Sequence, residues 1–174
     1  MSVIPDAIPY CIDYWASMMS VTTAKAIPQD VSIEYASLRD LLALRTLERA
    51  CFPKDSWPML DLIGVLTMGN VLRLKATYQD EMVGFIAGDV RKAEGVSWIA
   101  TFCVAPAHQG RGIGKALLSA CEERLPMPAI RLSVRASNHI AIRLYLNSGY
   151  VKVGEWQRYY NDGEAAIVME KKRI

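Results

Sequence analysis

The sequence predicts a mixed α/β fold in which helices cover both faces of a sheet of about seven strands. Segments of alternating or continuous apolar residues, typical of strands, are separated by segments whose apolar residues recur at helical spacing. Turn residues such as Gln79-Asp80 and Asp162-Gly163 lie between strand-like segments and indicate hairpins. Together these patterns predict the order β-α-α-β-β-β-α-β-α-β-β.

Two helices are predicted directly after the first strand. Ser37 and Asp40 resemble a capping box before the apolar, helically spaced run LLALRTLERACF. Ser56 suits the N-cap of a second helix and Pro58 an early position in its first turn. We expect this second helix to end near Gly69-Asn70.

The other elements follow the same reasoning. Gly149 suits the C′ position at the end of the last helix, because glycine adopts the left-handed conformation required there. The predicted strands cover residues 31–36, 71–78, 82–90, 96–105, 129–136, 150–160 and 164–172, and the predicted helices cover residues 41–52, 57–68, 114–125 and 138–148.

Composition limits the classes of function. The chain has 174 residues, enough for one domain with a sizeable core, predicted at residues 31–174 behind an N-terminal extension at residues 1–30. The net charge is +2, and no run of basic residues indicates a nucleic-acid partner. No apolar run is long enough to span a membrane, and we expect a cytoplasmic protein. The cysteines lie singly in the sequence, and there are only two histidines, so no metal site is predicted. The cysteines are Cys11, Cys51, Cys103 and Cys121.

The stretch VAPAHQGRGIGKALL places three glycines at the start of a predicted helix, a pattern that favours binding of phosphate. It is not a nucleotide P-loop, because the first glycine of that motif would fall at Gln109 and Ala116 replaces the required hydroxyl. It is not a dinucleotide fingerprint either, since the glycine spacing differs and the motif lies in the second half of the chain. A plain surface turn remains an alternative.

Gln109, Gly112 and Gly114 fit the pattern Q/R-x-x-G-x-G/A, which resembles the pyrophosphate loop of the GCN5-related N-acetyltransferases (GNAT). Val104-Ala105-Pro106 before the loop resembles the V-x-P ending of the preceding strand in that family. The resemblance implies a mostly antiparallel sheet with a cleft where strands 4 and 5 splay apart. It also implies acetyl-CoA as the donor.

This resemblance assigns the donor site residue by residue. The strand before the loop would pair with the pantetheine arm, the loop would hold the pyrophosphate, and Asn138 would bond an amide of the cofactor. Tyr145 lies seven residues after Asn138 and so on the same face of a helix; its counterpart in the family protonates the departing thiolate. The alternative for Tyr145 is packing of its ring. The predicted cofactor-binding residues are Phe102, Cys103, Val104, Gln109, Gly110, Arg111, Gly112, Ile113, Gly114, Lys115, Asn138 and Tyr145.

Three segments, LERACFPKDSW, VRASNHIAIRLYLNSGY and RYYNDGEAAIVM, are most similar to the N-terminal protein acetyltransferases within this family. The likeness implies that the acceptor is the α-amine of a protein or peptide N-terminus. The residues it implies for acceptor binding are Phe52, Pro53, Trp57, Tyr159 and Tyr160. Hydrophobic packing is the alternative for the aromatic ones. If Tyr159 and Tyr160 lay in a strand, they would point to opposite faces.

The resemblance implies direct attack of a neutral amine on the thioester, but the general base is not evident. Ser133 and Ser97 occupy positions where members of the family have a base, and neither is basic enough. A water relay to Glu94, Glu81 or Glu48, or deprotonation before binding, would serve. A lysine side chain or a small amine is the alternative acceptor. A noncatalytic acyl-CoA-binding module is the alternative function. We expect the protein to be a monomer or a homodimer.

Overall fold

A computed structural model describes residues 30–173 and contains a seven-stranded sheet in the order β1-β2-β3-β4-β5-β7-β6. The predicted order of elements and the mixed α/β class are confirmed. The predicted N-terminal extension lies outside the described residues, apart from Asp30. The elements are β1 Val31–Tyr35, α1 Leu41–Cys51, α2 Met59–Thr67, β2 Val71–Tyr78, β3 Glu81–Arg91, β4 Val96–Val104, α3 Ile113–Arg124, β5 Ala129–Arg135, α4 His139–Asn147, β6 Val151–Trp156 and β7 Ala166–Lys172.

The predicted capping box is confirmed at the 3-10 turn of residues 38–40 that leads into α1, whereas the start of α2 differs from the prediction. The Ser37 N–H donates to the Asp40 carboxylate at 2.8 Å. Pro58, rather than Ser56, is the N-cap of α2, and no side chain caps this helix. The α1–α2 loop (residues 52–58) is instead held by Glu48, whose Oε1 accepts a hydrogen bond from the Trp57 N–H at 2.6 Å.

The closing hairpin has shorter strands than predicted. Arg158 has a φ of 53°, which ends β6 before the two tyrosines and leaves a β6–β7 loop (residues 157–165). Asp162-Gly163 does form a turn, in which the Gly163 N–H donates to the Tyr160 carbonyl at 2.8 Å. Tyr159 and Tyr160 therefore lie in a loop and are not held on opposite faces of a strand.

Each face of the sheet carries its own core. The core under α3 and α4 includes Leu117, Ile130 and Tyr145, and the core under α1 and α2 includes Leu44 and Phe85. Helix α3 lies directly on β3, because a Cβ at Gly84 would come within 2.7 Å of Leu117 Cδ1. Helices thus cover both faces, as predicted.

The parallel pair β4 and β5 separates partway along its length. Register pairs run from Val96–Ala129 to Ile99–Leu132 and then stop, although both strands continue. A bulge at Ala100 accompanies the separation, since Ala87 lies opposite Thr101 whereas Gly88 lies opposite Ile99. A bulge bends and twists its strand. The resulting gap passes through the sheet from one face to the other and confirms the predicted splayed cleft.

Candidate active site

The glycine turn presents backbone N–H groups at the start of α3. Gly110 and Gly112 have φ values of 70° and 84°, in the left-handed region that glycine adopts without a steric penalty. The first N–H groups of α3, which begins at Ile113, have no intrahelical partner, and no side chain caps them. Such a helix start favours an anion. The side chains of Arg111 and Lys115 are exposed beside it.

Two of the predicted donor residues have side chains turned away from this anion position. Gln109 Nε2 donates to the Val104 carbonyl at 3.0 Å, which fixes the glycine turn to the end of β4. The same carbonyl accepts the thiol hydrogen of Cys51 at 3.4 Å. Ile113 is buried in the core, so only its backbone faces the turn. The side-chain amide of Gln109 therefore stabilises the glycine turn and does not face the anion position.

The end of β4 supplies an open strand edge beside the turn. The side chains of Phe102 and Val104 lie under α3, within 3.5 Å and 3.7 Å of the Cβ position of Gly114. Cys103 points to the other face and is buried with Phe85. Because β5 has separated from β4 here, backbone groups that point towards β5 are not used in the sheet. An extended ligand can pair with such an edge.

Helix α4 packs on the same face of the sheet, beside the end of β4 and the start of α3. Asn138 is its N-cap, and its Oδ1 accepts a hydrogen bond from the Ala141 N–H at 3.1 Å. Tyr145 follows on the same helix, and its ring centroid lies 6.3 Å from that of Phe102. Burial raises the pKa of Tyr145 well above its ordinary value, so its hydroxyl keeps its proton at neutral pH. The glycine turn, β4 and α4 thus meet at the gap in the sheet.

The opposite face of the gap opens into a cavity of about 180 Å³. Ile99 is the last β4 residue paired with β5, Ala100 is the bulge, and Ser133 is the first β5 residue past the pairing. All three line the cavity, which therefore adjoins the place where the strands separate. Its lining comprises Asp89, Arg91, Trp98, Ile99, Ala100, Ser133, Trp156 and Tyr159.

Aromatic rings form the wall of this cavity. Trp98 and Trp156 stack with centroids 5.8 Å apart and planes 22° from parallel. Tyr159 lies 5.1 Å from Trp156, and the Arg91 guanidinium lies 5.3 Å from the Trp98 ring. Sequence reasoning missed both tryptophans. Trp98 and Ile99 are adjacent in β4, so their side chains point to opposite faces of the sheet. This alternation is the sequence signal that could have placed Trp98 on the face away from the core under α3 and α4.

The structure separates the two serines considered as replacements for a base. Ser133 lines the cavity. Ser97 is fully buried and lies in register with Val90, which packs against the core under α3 and α4. Ser97 is therefore on the wrong face to reach an acceptor in the cavity.

None of the three glutamates considered for a water relay lines the cavity. Glu48 is a buried residue of α1, and desolvation raises its pKa despite the hydrogen bond from Trp57. Glu81 is the first residue of β3, and Glu94 lies in the turn between β3 and β4. The carboxylate in the lining is that of Asp89, whose oxygens accept hydrogen bonds from Asn70 at 2.6 Å and Arg91 at 2.9 Å.

The predicted acceptor residues fall into two groups. Phe52 and Trp57 are partly buried against the core under α1 and α2, as the packing alternative predicts, and Pro53 is exposed in the α1–α2 loop. Tyr159 lines the cavity. Tyr160 packs edge-on against Tyr159, with centroids 5.1 Å apart. Both loops border the same end of β5, because Arg135 is hydrogen-bonded to Asp55 and Asp162.

Comparison with known proteins decides the family. A model of the acetyltransferase (GNAT) family matches residues 41–150. The chain belongs to this family. It is 35% identical over 141 residues to an uncharacterised N-acetyltransferase of Methanocaldococcus jannaschii, a match that covers 79% of this chain and 88% of that protein.

Solved structures agree with this assignment. The ribosomal-protein-S18-alanine N-acetyltransferase from Escherichia coli has a TM-score of 0.73 at 27% identity, covering 82% of this chain and 93% of that one. Arabidopsis thaliana Naa50, solved with the bisubstrate analogue CoA-Ac-MVNAL, has a TM-score of 0.73 at 26% identity, covering 83% and 99%. This GNAT enzyme is therefore an N-acetyltransferase that uses acetyl-CoA. The glycine turn and the open β4 edge fit the pyrophosphate and the extended arm of that cosubstrate.

Residues 30–173 lack two features, a membrane-spanning helix and a cluster of metal-ligating side chains. None of their helices combines the length and apolar character needed to cross a bilayer. In the same part of the chain, His, Cys, Asp and Glu side chains do not form a group of three or more that could hold a metal ion.

Proposed function

We propose that this GNAT enzyme acetylates the α-amine of a protein or peptide N-terminus. The observation that carries the proposal is the gap between β4 and β5, which joins the glycine turn on one face to the aromatic cavity on the other. A thioester entering from the α3 side would meet an amine entering from the cavity. The aromatic wall of the cavity can pack against the first side chain of a peptide, and the β6–β7 loop with Tyr159 and Tyr160 supplies contacts for its backbone.

The side chains around the gap suit direct transfer. The amine nitrogen forms a bond to the acetyl carbon, the carbon–sulfur bond breaks, and Tyr145 gives its proton to the departing thiolate. The nitrogen loses its own proton to water in the cavity. Unpaired amides of β4 polarise the thioester carbonyl.

An α-amine suits this cavity better than a lysine side chain. Its pKa is near 8, so a substantial fraction is neutral at physiological pH, whereas a lysine amine near 10 needs a strong base. Ser133 provides no such base, and Asp89 is paired with Arg91. Similarity to the S18-alanine enzyme and to Naa50 also supports a peptide N-terminus.

The test is coenzyme A release with matched acceptors. One peptide series has free α-amines and Ala, Ser, Met or Asp first residues; a second is blocked at the α-amine and carries one internal lysine; polyamines form a third. We expect turnover with the first series alone. Turnover confined to lysine or polyamines would replace the proposal with the alternative acceptor. Tight acetyl-CoA binding with no turnover in any series would indicate a binding module.

A further inference from the structure

A single guanidinium joins the two loops beside the acceptor cavity. Arg135 is the last residue of β5. Its Nε and Nη2 donate to Asp55 Oδ2 at 2.9 Å and 2.6 Å. Its Nη1 donates to Glu164 Oε2 at 2.6 Å and to the Asp162 carboxylate at 3.0 Å and 3.1 Å. Asp55 belongs to the α1–α2 loop and the other two belong to the β6–β7 loop, so partners distant in the sequence converge on one cation.

The same guanidinium fixes an aromatic side chain. Its central carbon lies 3.9 Å from the centroid of the Tyr160 ring. Tyr160 packs edge-on against Tyr159, which in turn lines the cavity. A planar guanidinium that is held by carboxylates and stacked on a ring restricts that ring strongly. Contacts therefore continue from Arg135 through the two tyrosines to the acceptor cavity.

The charge balance makes Arg135 necessary for this arrangement. Three carboxylates surround one cation, and the Arg135 side chain is about one-fifth exposed, at 19%. The hydrogen bond from Arg135 holds the pKa of Asp162 below its ordinary value. Without the cation, the remaining carboxylates would repel one another, and the two loops would lose their common partner.

We propose that Arg135 is a positioning residue for the acceptor, which holds both loops and the Tyr160 ring beside the cavity; this inference rests on the proposed function. Removing the guanidinium should weaken acceptor binding and leave the donor site intact. Arg135→Gln should raise the KM for the peptide about tenfold or more, because the two loops lose the cation that fixes their positions beside the cavity. The KM for acetyl-CoA should stay within about twofold.

Arg131→Gln is the matched control. Arg131 lies on the same face of β5, and its Nε donates to Glu170 on β7 at 2.6 Å, so its ion pair joins strands rather than loops. We expect no change in the KM for the peptide from this variant. Equal effects of both substitutions, or an equal rise in the KM for acetyl-CoA with Arg135→Gln, would overturn the proposal.

Hydrogen exchange tests the same inference without any acceptor. In Arg135→Gln, amides of both loops should exchange faster, whereas amides of α3 should not. If the wild-type enzyme acetylates no peptide, the proposed function fails, yet the exchange result still decides whether Arg135 holds the loops. Should Arg135→Gln not fold, Asp55→Asn releases the α1–α2 loop alone and should speed exchange there, with the β6–β7 loop unchanged. Unchanged exchange in both loops would overturn the inference.

Discussion

In the proposed mechanism, Tyr145 is the residue that protonates the departing thiolate. It is only 5% exposed, and its raised pKa keeps the hydroxyl protonated when a thiolate departs. Tyr145→Phe should lower kcat by about a hundredfold and leave the Kd for acetyl-CoA nearly unchanged, because only the proton donor is lost. Tyr150→Phe is the control, since its ring packs 5.7 Å away in the same core. Equal losses from both variants would reduce Tyr145 to a packing residue.

Substitution of Gly112 tests whether the left-handed backbone conformation of the glycine turn is needed to bind coenzyme A. Its φ of 84° costs an alanine about 1–2 kcal/mol and would displace the amides at the start of α3. Gly112→Ala should therefore weaken binding of coenzyme A about tenfold in calorimetry. Gly95→Ala carries a similar conformational penalty at a φ of 65°, in open space on the β3–β4 turn, and should not change that affinity. Affinity that is equally weak in both variants would point to general destabilisation.

At the scale of elements, α1 and its following loop are held by a buried carboxylate. Burial raises the pKa of Glu48 above its ordinary value of 4.5, so its ionised form opposes folding at neutral pH. Glu48→Gln keeps an oxygen for the Trp57 N–H and should raise the free energy of unfolding at pH 7. The advantage should shrink as the pH falls through the raised pKa towards 4.5, because Glu48 is then protonated.

Urea titrations at pH 7 and near pH 4.5 measure both effects. Glu48→Ala is the control, since it leaves the Trp57 N–H without an acceptor and should destabilise the protein by about 1–3 kcal/mol. A Glu48→Gln variant less stable than the wild type at pH 7 would contradict the argument.

The bulge in β4 offers a test of where the acceptor enters. Ala100 lines the cavity and its side chain is exposed. Ala100→Leu should fill part of the cavity and lower kcat/KM for the acceptor about tenfold or more, with the KM for acetyl-CoA little changed. Ala93→Leu makes the same change at an exposed position of the β3–β4 turn and should have no effect. Acceptor kinetics unaffected by Ala100→Leu would place the acceptor elsewhere.

Elements with a clear local signal were predictable from the sequence, and contacts between distant segments were not. The periodicity of VLRLKATY gives β2 its observed bounds, and the Ser37–Asp40 pattern is the observed capping box. No local pattern indicates the bulge at Ala100, which depends on the pairing of β3 with β4. The cavity is built from several strands, so Trp98 and Trp156 in its wall escaped prediction, whereas Tyr159 was among the predicted acceptor residues. The link from Arg135 to Asp55 spans 80 positions in the chain.

At the scale of the whole molecule, the two proposed substrate sites lie on opposite faces of the sheet and adjoin the gap between β4 and β5. The predicted donor residues lie on the α3 and α4 face and the cavity lies on the other, so in the proposed mechanism the amine reaches the thioester without a covalent carrier. Two thiols lie near the gap. The Cys103 thiol has a pKa raised well above its ordinary value by its hydrogen bond to Cys51 and by burial. Cys51 has a lowered pKa, but its thiol is engaged with the Val104 carbonyl.

Transfer should therefore proceed in one displacement with no acetyl-enzyme. Protein incubated with acetyl-CoA and no acceptor should show no added acetyl group by mass spectrometry, and initial-rate lines for the two substrates should intersect rather than run parallel. Cys51→Ser and Cys103→Ser should each keep kcat within about threefold of the wild type, because neither sulfur takes part in the transfer. Parallel lines together with an acetylated cysteine would show instead that the acetyl group crosses the gap on a thiol.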